Sequence, residues 1–458
     1  MQVIVCGAGQ VGFNIARQLT SEANDVTVID TDANRVRRVT ESIDVKGLVG
    51  FAAHPPVLQE AGAEDADMLI AVTYADEVNM IACQVAHSLF NVPTKIARVR
   101  HQSYLEPAWR NMFSRDHLPI DVIISPEIEV ARAIIRRLEV PGALDVIPMA
   151  DDSVRAIAVR CMPDCPVLDT PLQELTELFP DLKIFVVGII RDDELIVPTP
   201  KTEMREGDEV YFVADRDHVR RAISAFGHEE AEARRIIIIG GGNIGVYIAH
   251  ELEESHPDIR CKLIELNEPR ARAAADQLSR TTVLLGDALD REILEEANVA
   301  QTETVVAVSN DDEVNILSSL LAKRLGADWA ITLVNSNSYG PLVGQLGVDA
   351  VVNPRGSTVS TILQHVRRGR IRGVYSVREG AGEFIEAEAL ETSSITGKSI
   401  RDIRLPKGIL IGSVIRKGEV IVPRGDTQIL AHDRVVLFTN ADLIKKVEKL
   451  FSVGLEFF

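Results

Sequence analysis

Long apolar runs are missing from this chain. No stretch of its 458 residues approaches the roughly 18 needed for a membrane-spanning helix. Positive charge is also short: 49 Lys and Arg face 68 Asp and Glu, a formal charge of −19. Such a surface repels nucleic acid and anionic lipid, so attachment to a membrane would need another protein. Cysteine is sparse, with Cys6, Cys83, Cys161, Cys165 and Cys261 as the full set. An odd, scattered set reads as reduced, mostly buried thiols of the cytosol. Cys161 and Cys165 form a C-x3-C pair without the second pair that tetrahedral zinc requires, so no metal site is expected. The N-terminus enters a strand pattern at once and lacks the basic start and long apolar stretch of a signal peptide. Catalytic signatures are missing too: no H-E-x-x-H, no G-x-S-x-G and no P-loop lysine. What remains is the balance of a folded globular protein, 46% hydrophobic and 26% charged.

The sequence repeats itself. Val5-Cys6-Gly7-Ala8-Gly9-Gln10-Val11-Gly12 returns as Ile238-Ile239-Gly240-Gly241-Gly242-Asn243-Ile244-Gly245. Val28-Ile29-Asp30 returns as Leu263-Ile264-Glu265, and Asp76-Glu77-Val78-Asn79 as Asp312-Glu313-Val314-Asn315. The offset stays near about 235 residues, so one unit is used twice. The repeat runs on: Ile196-Val197-Pro198 with Thr202 and Asp208 matches Ile421-Val422-Pro423 with Thr427 and Asp433. Each half therefore holds two lobes. We place them at 1–140, 141–226, 234–371 and 372–458, with a charged linker at 227–233.

The first and third lobes read as α/β. Apolar runs at 3–6, 26–29, 68–72, 95–99 and 122–124, with counterparts at 236–239, 262–265, 305–308, 330–334 and 350–352, alternate with helical patterns. That order predicts a parallel, Rossmann-type sheet covered on both faces. The second and fourth lobes carry shorter, alternating strands and few helices, the pattern of small α+β modules.

Each G-x-G-x-x-G follows an apolar strand, opens a helix and precedes, by about 20 residues, an acid at the end of the next strand. The glycines Gly7, Gly9 and Gly12, and Gly240, Gly242 and Gly245, suit a tight turn, an approaching pyrophosphate and close helix packing. Gln10, Val11, Asn243 and Ile244 begin the helices whose free N–H groups meet phosphates. Asp30 and Glu265 are placed for ribose hydroxyls, favouring NAD(H) over NADP(H). The plainer reading is that the glycines only make a turn and the acids only cap a loop. After the third strand the second half has Gly286-Asp287 where the first has Gly50-Phe51. Asp287 suits an adenine amine or sugar, so the second half reads as the more standard NAD site. ATP or ADP is the alternative occupant, favoured in the first half. Thr73, Ser309, Arg98 and Arg100 lie at strand ends where such folds bind ligands, and the two arginines could reach terminal phosphates. The runs Asp76-Glu77 and Asp312-Glu313 read more simply as caps of the helices that follow. The ten histidines show no motif and the small lobes are short for a dehydrogenase domain, so the chain reads as a sensor rather than an enzyme.

These residues together resemble the potassium-conductance regulatory (RCK, or KTN) domain family: the glycine loop, the acid after the second strand, the T/S-x-x-D-E-x-N run and the I-V-P-x3-T-x5-D lobe. Two units in tandem resemble regulatory subunits of Trk-type potassium uptake systems. The resemblance implies a ring of such units, here a homotetramer, peripheral on the cytoplasmic side of an integral-membrane potassium-translocating subunit and gated by nucleotide. It also implies that the helix opened by Pro126, with Val130, Ile134 and Leu138 on one face, crosses to a neighbouring lobe. The helix opened by Pro354, with Val359, Ile362, Leu363 and Val366, would match it, and Glu127 would lie near a neighbour's ligand. An NAD-dependent oxidoreductase and an RCK-type regulator of another cation carrier are the alternatives.

Overall fold

The computed structural model describes residues 1–452 apart from 22, 179–181, 193, 337–338, 355–357, 360, 363–364, 366–370, 378–380 and 441–442. Two compact units emerge. One takes Met1–Glu129 with Pro354–His365, the other Val130–Asn353 with Val366–Phe458. No helix among the described residues is long and apolar enough to cross a membrane.

In the first unit the strands β1 (Gln2–Cys6), β2 (Asp25–Asp30), β3 (Lys46–Val49), β4 (Met68–Ala71), β5 (Thr94–Arg98) and β6 (Val122–Ile124) form one sheet of order β3-β2-β1-β4-β5-β6. All its pairings are parallel. The order reverses beside β1, which opens a crevice at the strand ends between β1 and β4. The central strands are apolar throughout because helices cover both faces: Met68–Ala71 is buried at every position. β3 is not among the five apolar runs, since Lys46 and Val49 are exposed at the sheet edge.

The second unit repeats this sheet with Arg235–Ile239 and Thr304–Ala307 at its centre and Thr282–Leu285 at the matching edge. The helix Pro126–Glu139 supplies Val130, Ile134 and Leu138 to the same core as Ile236, Ile248 and Leu252. The crossing expected of this helix is therefore made within one chain, onto the lobe of the other half. Thr358 and Ile362 of the matching helix are buried, while Leu363 and Val366 lie outside the described residues.

The small lobes are five-stranded antiparallel sheets. Their shared motif has a structural use. Asp208, 2% exposed, accepts two hydrogen bonds from the Arg191 guanidinium at 2.8 and 2.7 Å and one from the Arg205 amide. Asp433 repeats this with Arg416 and the Leu430 amide. Thr202 and Thr427 accept from the amides of Thr199 and Arg424. The two sheets share one core, in which Ile147, Tyr211 and Val213 meet Phe384, Val436 and Phe438. Gly412 is required there: a Cβ would lie 2.8 Å from Val213.

Candidate functional site

The glycine loops are built identically in the two halves. Gly7 and Gly240 have φ of +112° and +108°, which only glycine adopts without strain. A Cβ on Gly12 would fall 1.8 Å from the Gly7 carbonyl oxygen, and one on Gly245 1.9 Å from that of Gly240. These glycines hold the helices Gln10–Ser21 and Asn243–Ser255 against their own loops. Gly9 and Gly242 differ: a side chain on either would meet nothing within 4 Å. The exposed Gln10 and Asn243, with half-buried Val11 and Ile244, form the first helical turns. No side chain caps Asn243–Ser255, so its leading N–H groups remain for a ligand.

The two acids hold these loops. Asp30 accepts the amide N–H of Ala8 at 2.7 Å and of Asp32 at 2.9 Å. Glu265 accepts those of Gly241 at 2.6 Å and Asn267 at 2.8 Å. A carboxylate offers about four lone-pair sites, so each acid can serve its loop and still accept from a sugar hydroxyl.

In the first half a cavity of about 400 Å³ opens over the loop. Gly7, Gly9, Gln10, Val11 and Asp30 line one side, Thr73 and Arg98 the other, and Phe51 the rim. Phe51 is 40% exposed and leans on His54, with ring centroids 4.8 Å apart. Arg98 donates to the Thr73 carbonyl at 2.7 Å, and its Nε is buried without a partner. Burial, then the neighbouring Arg100, lowers its pKa. Arg100 is not in the cavity wall. Its Nε bonds Glu127 at 2.8 Å and its guanidinium stacks over Tyr74, 5.5 Å from the ring centroid.

The strand-end polar residues make a frame common to both halves. Asn79, fully buried, accepts from the Thr73 amide and hydroxyl and donates to the carbonyls of Thr73 and Arg98. Asn315 accepts from the Ser309 amide and donates to the carbonyls of Ser309 and Leu333. The acids beside them do not cap their own helices. Asp76 accepts the amides of Arg100 and His101, and Asp312 those of Asn335 and Ser336, so each fixes the loop after the next strand. The side-chain cap in the second half comes from Asp311, bonded to the Val314 amide, and in the first half Ala75 takes that place with none. Asp287 is exposed and turns its own loop by accepting the Leu289 amide.

Sequence reasoning passed over Arg35 and Tyr74, both in the cavity wall. Arg35 lies in the first turn of the helix Ala33–Ser42 that follows Asp30, a place from which a cation reaches a ribose phosphate; only that spacing signals it. Among the described residues no group of three or more His, Cys, Asp and Glu could hold a metal.

Two Rossmann-type lobes, each followed by a small antiparallel lobe, define a tandem RCK protein. The solved GsuK RCK domain has this fold, with TM-score 0.59 at 18% identity over 98% of this chain and 94% of that one. So does the GsuK channel bound to NAD, with TM-score 0.59 at 17% identity over 98% and 78%. The TrkA-N domain model matches residues 3–126 and 236–354, and the TrkA-C domain model residues 157–227 and 384–452. The Trk system potassium uptake protein TrkA of Azorhizobium caulinodans is 57% identical over 458 residues, the full length of both chains. The chain belongs to the TrkA family of Trk system potassium uptake proteins.

Proposed function

We propose that this chain is the cytoplasmic nucleotide-sensing subunit of a Trk-type potassium uptake system and performs no chemistry of its own. The observation that carries the reading is the first-half cavity. It joins a glycine loop, an acid at the ribose position and the half-buried cation Arg98. Gly7, Gly9, Gln10, Val11, Gly12, Asp30 and Thr73 hold the nucleotide in the first half, with Arg98 at its phosphates. Arg100 acts from outside the wall through Glu127. Gly240, Gly242, Asn243, Ile244, Gly245, Glu265, Asp287 and Ser309 hold NAD(H) in the second. ATP or ADP suits the first half better, because Arg98 supplies a charge for terminal phosphates where the second half has Leu333. NAD in a GsuK structure agrees with a dinucleotide in this fold. The lobes run 1–140, 141–226, 234–371 and 372–458, and a homotetramer closes the ring on an integral-membrane potassium-translocating subunit. A ligand then gates by binding two ring shapes unequally, with coupling of about 1–3 kcal/mol.

Calorimetry of the purified chain with NADH, NADPH, ATP and ADP, followed by potassium uptake into vesicles holding the membrane partner, tests this. Binding of NADH with a change in uptake is expected. Turnover of a hydride donor would favour an oxidoreductase instead.

A further inference from the structure

Away from the nucleotide loops, the linker between the two halves is fastened to the first small lobe by one histidine. His228 is 4% exposed. Its Nδ1 lies 2.8 Å from a carboxylate oxygen of Glu230. Its Nε2 lies 2.7 Å from the carbonyl oxygen of Arg160, at the end of the strand Val154–Arg160. The fit is close. Gly142 stands at φ +82°, and a Cβ there would lie 2.7 Å from the Glu230 carboxylate and 2.9 Å from the His228 side chain.

Both partners of the ring are acceptors. A neutral imidazole has one N–H and one lone pair, and only the imidazolium donates from both nitrogens. Loss of either proton therefore turns a lone pair on an oxygen, whichever tautomer forms. The second oxygen of Glu230, Oε2, is buried without a hydrogen-bond partner, so a neutral ring leaves this carboxylate without its counter-charge. Burial alone would lower the pKa of His228, but Glu230 and then the Arg160 carbonyl raise it above the ordinary imidazole value. The Cys165 thiol also faces the ring, and the Arg160 guanidinium is bonded to Glu209 at 3.1 Å. The Glu230 side chain is 29% exposed, which gives solvent protons a way to the pair.

We propose that His228 is a proton-operated latch on the linker, a device independent of the nucleotide reading above. Protonated, it clips Glu230 to the strand end of the first small lobe. Neutral, it releases Glu230 toward water and frees the linker that leads into the second Rossmann-type lobe. The folded chain holds the second imidazole proton more tightly than the unfolded chain. The clip is therefore complete below about 6.5, the ordinary imidazole value, and is lost as pH rises through the higher folded value. A rise in pH thus loosens the one covalent path between the first small lobe and the second Rossmann-type lobe. Glu230 and Ala231 of the linker also line a cavity of about 170 Å³ together with Trp329. Release of the linker changes the surroundings of that indole.

Trp329 reports on the latch in the full-length chain. Trp109 is the one other tryptophan and is exposed, so Trp109→Phe leaves a single reporter in a folded parent. Its fluorescence is followed across the imidazole range, from about pH 5.5 to about pH 9. A transition with its midpoint above about 6.5 is expected. His228→Gln keeps a donor but has no titrating proton, and should lose the transition. Cys165→Ser should keep it, which separates the imidazole from the thiol. Over the same range, a glutamate-specific protease should cut after Glu229 and Glu230 faster as pH rises, relative to the same chain denatured, and His228→Gln should show no such rise. The parent's midpoint and cleavage decide the matter even where a variant fails to fold. No transition in the parent, a midpoint at or below the ordinary value, the same transition in His228→Gln, or its loss in Cys165→Ser would overturn the proposal.

Discussion

The two Rossmann lobes share a frame and differ at its rim. In both, a buried asparagine ties the fourth strand's end to the fifth's, an acid fixes the next loop, and a second acid holds the glycine turn. At the rim the first lobe has Phe51, Arg98 and Arg100 where the second has Asp287, Leu333 and Asn335. Asn335 also turns inward, donating to Asp312 at 2.9 Å, while Arg100 reaches outward to Glu127. What the duplication kept maintains the strand ends, and what it changed carries charge or an aromatic face. On the proposed reading, ligand choice belongs to the residues that break the repeat.

Shared positions should respond alike and divergent ones should not. The largest effect is expected from Gly12→Ala and Gly245→Ala. Each Cβ would strike a carbonyl oxygen under 2 Å away, so each should lower the stability of its unit by about 3 kcal/mol, read from denaturant unfolding. A clearly unequal pair would break the equivalence of the loops. Asn79→Ala and Asn315→Ala come next. Each leaves a part-buried amide and the carbonyl at the fifth strand's end without their asparagine partner, at a cost of about 2 kcal/mol in either unit.

Ligand effects are smaller and should be one-sided. Asp30 and Glu265 face a 2′-phosphate with negative charge, so NADH should bind about tenfold more tightly than NADPH. Arg35 opposes this in the first half, and Arg35→Ala should widen the gap there, as titrations of the Gly242→Asp variant would show. The smallest effect is that of Arg98→Leu. It should weaken ATP binding about fivefold, through one lost charged hydrogen bond, and leave NADH binding in the second half unchanged.

The repeat, the parallel sheets and the glycine loops were legible in the sequence because they rest on local pattern: apolar runs, a strand-to-helix glycine turn and a near-constant offset. The edge strand Lys46–Val49 was not, since its end residues face solvent and leave no apolar run. The work of Asp76 and Asp312 was also hidden. Their partners sit over 20 residues away, across a strand crossover that helix-capping rules do not see. The I-V-P-x3-T-x5-D motif could be recognised as a repeat, but Arg191 and Arg416, which its aspartates bind, lie upstream of it.

The central claim is that each half binds one nucleotide and that the two halves choose differently. Gly9 and Gly242 suit the test because open space surrounds them, so an acid there blocks a phosphate without disturbing the fold. Calorimetry of Gly9→Asp, Gly242→Asp and wild type with NADH and ATP is the most direct measurement. Wild type should show two classes of site per chain. Gly9→Asp should lose the class preferring ATP, and Gly242→Asp the class preferring NADH. Isotherms unchanged by both substitutions, in proteins with wild-type melting curves, would contradict the account.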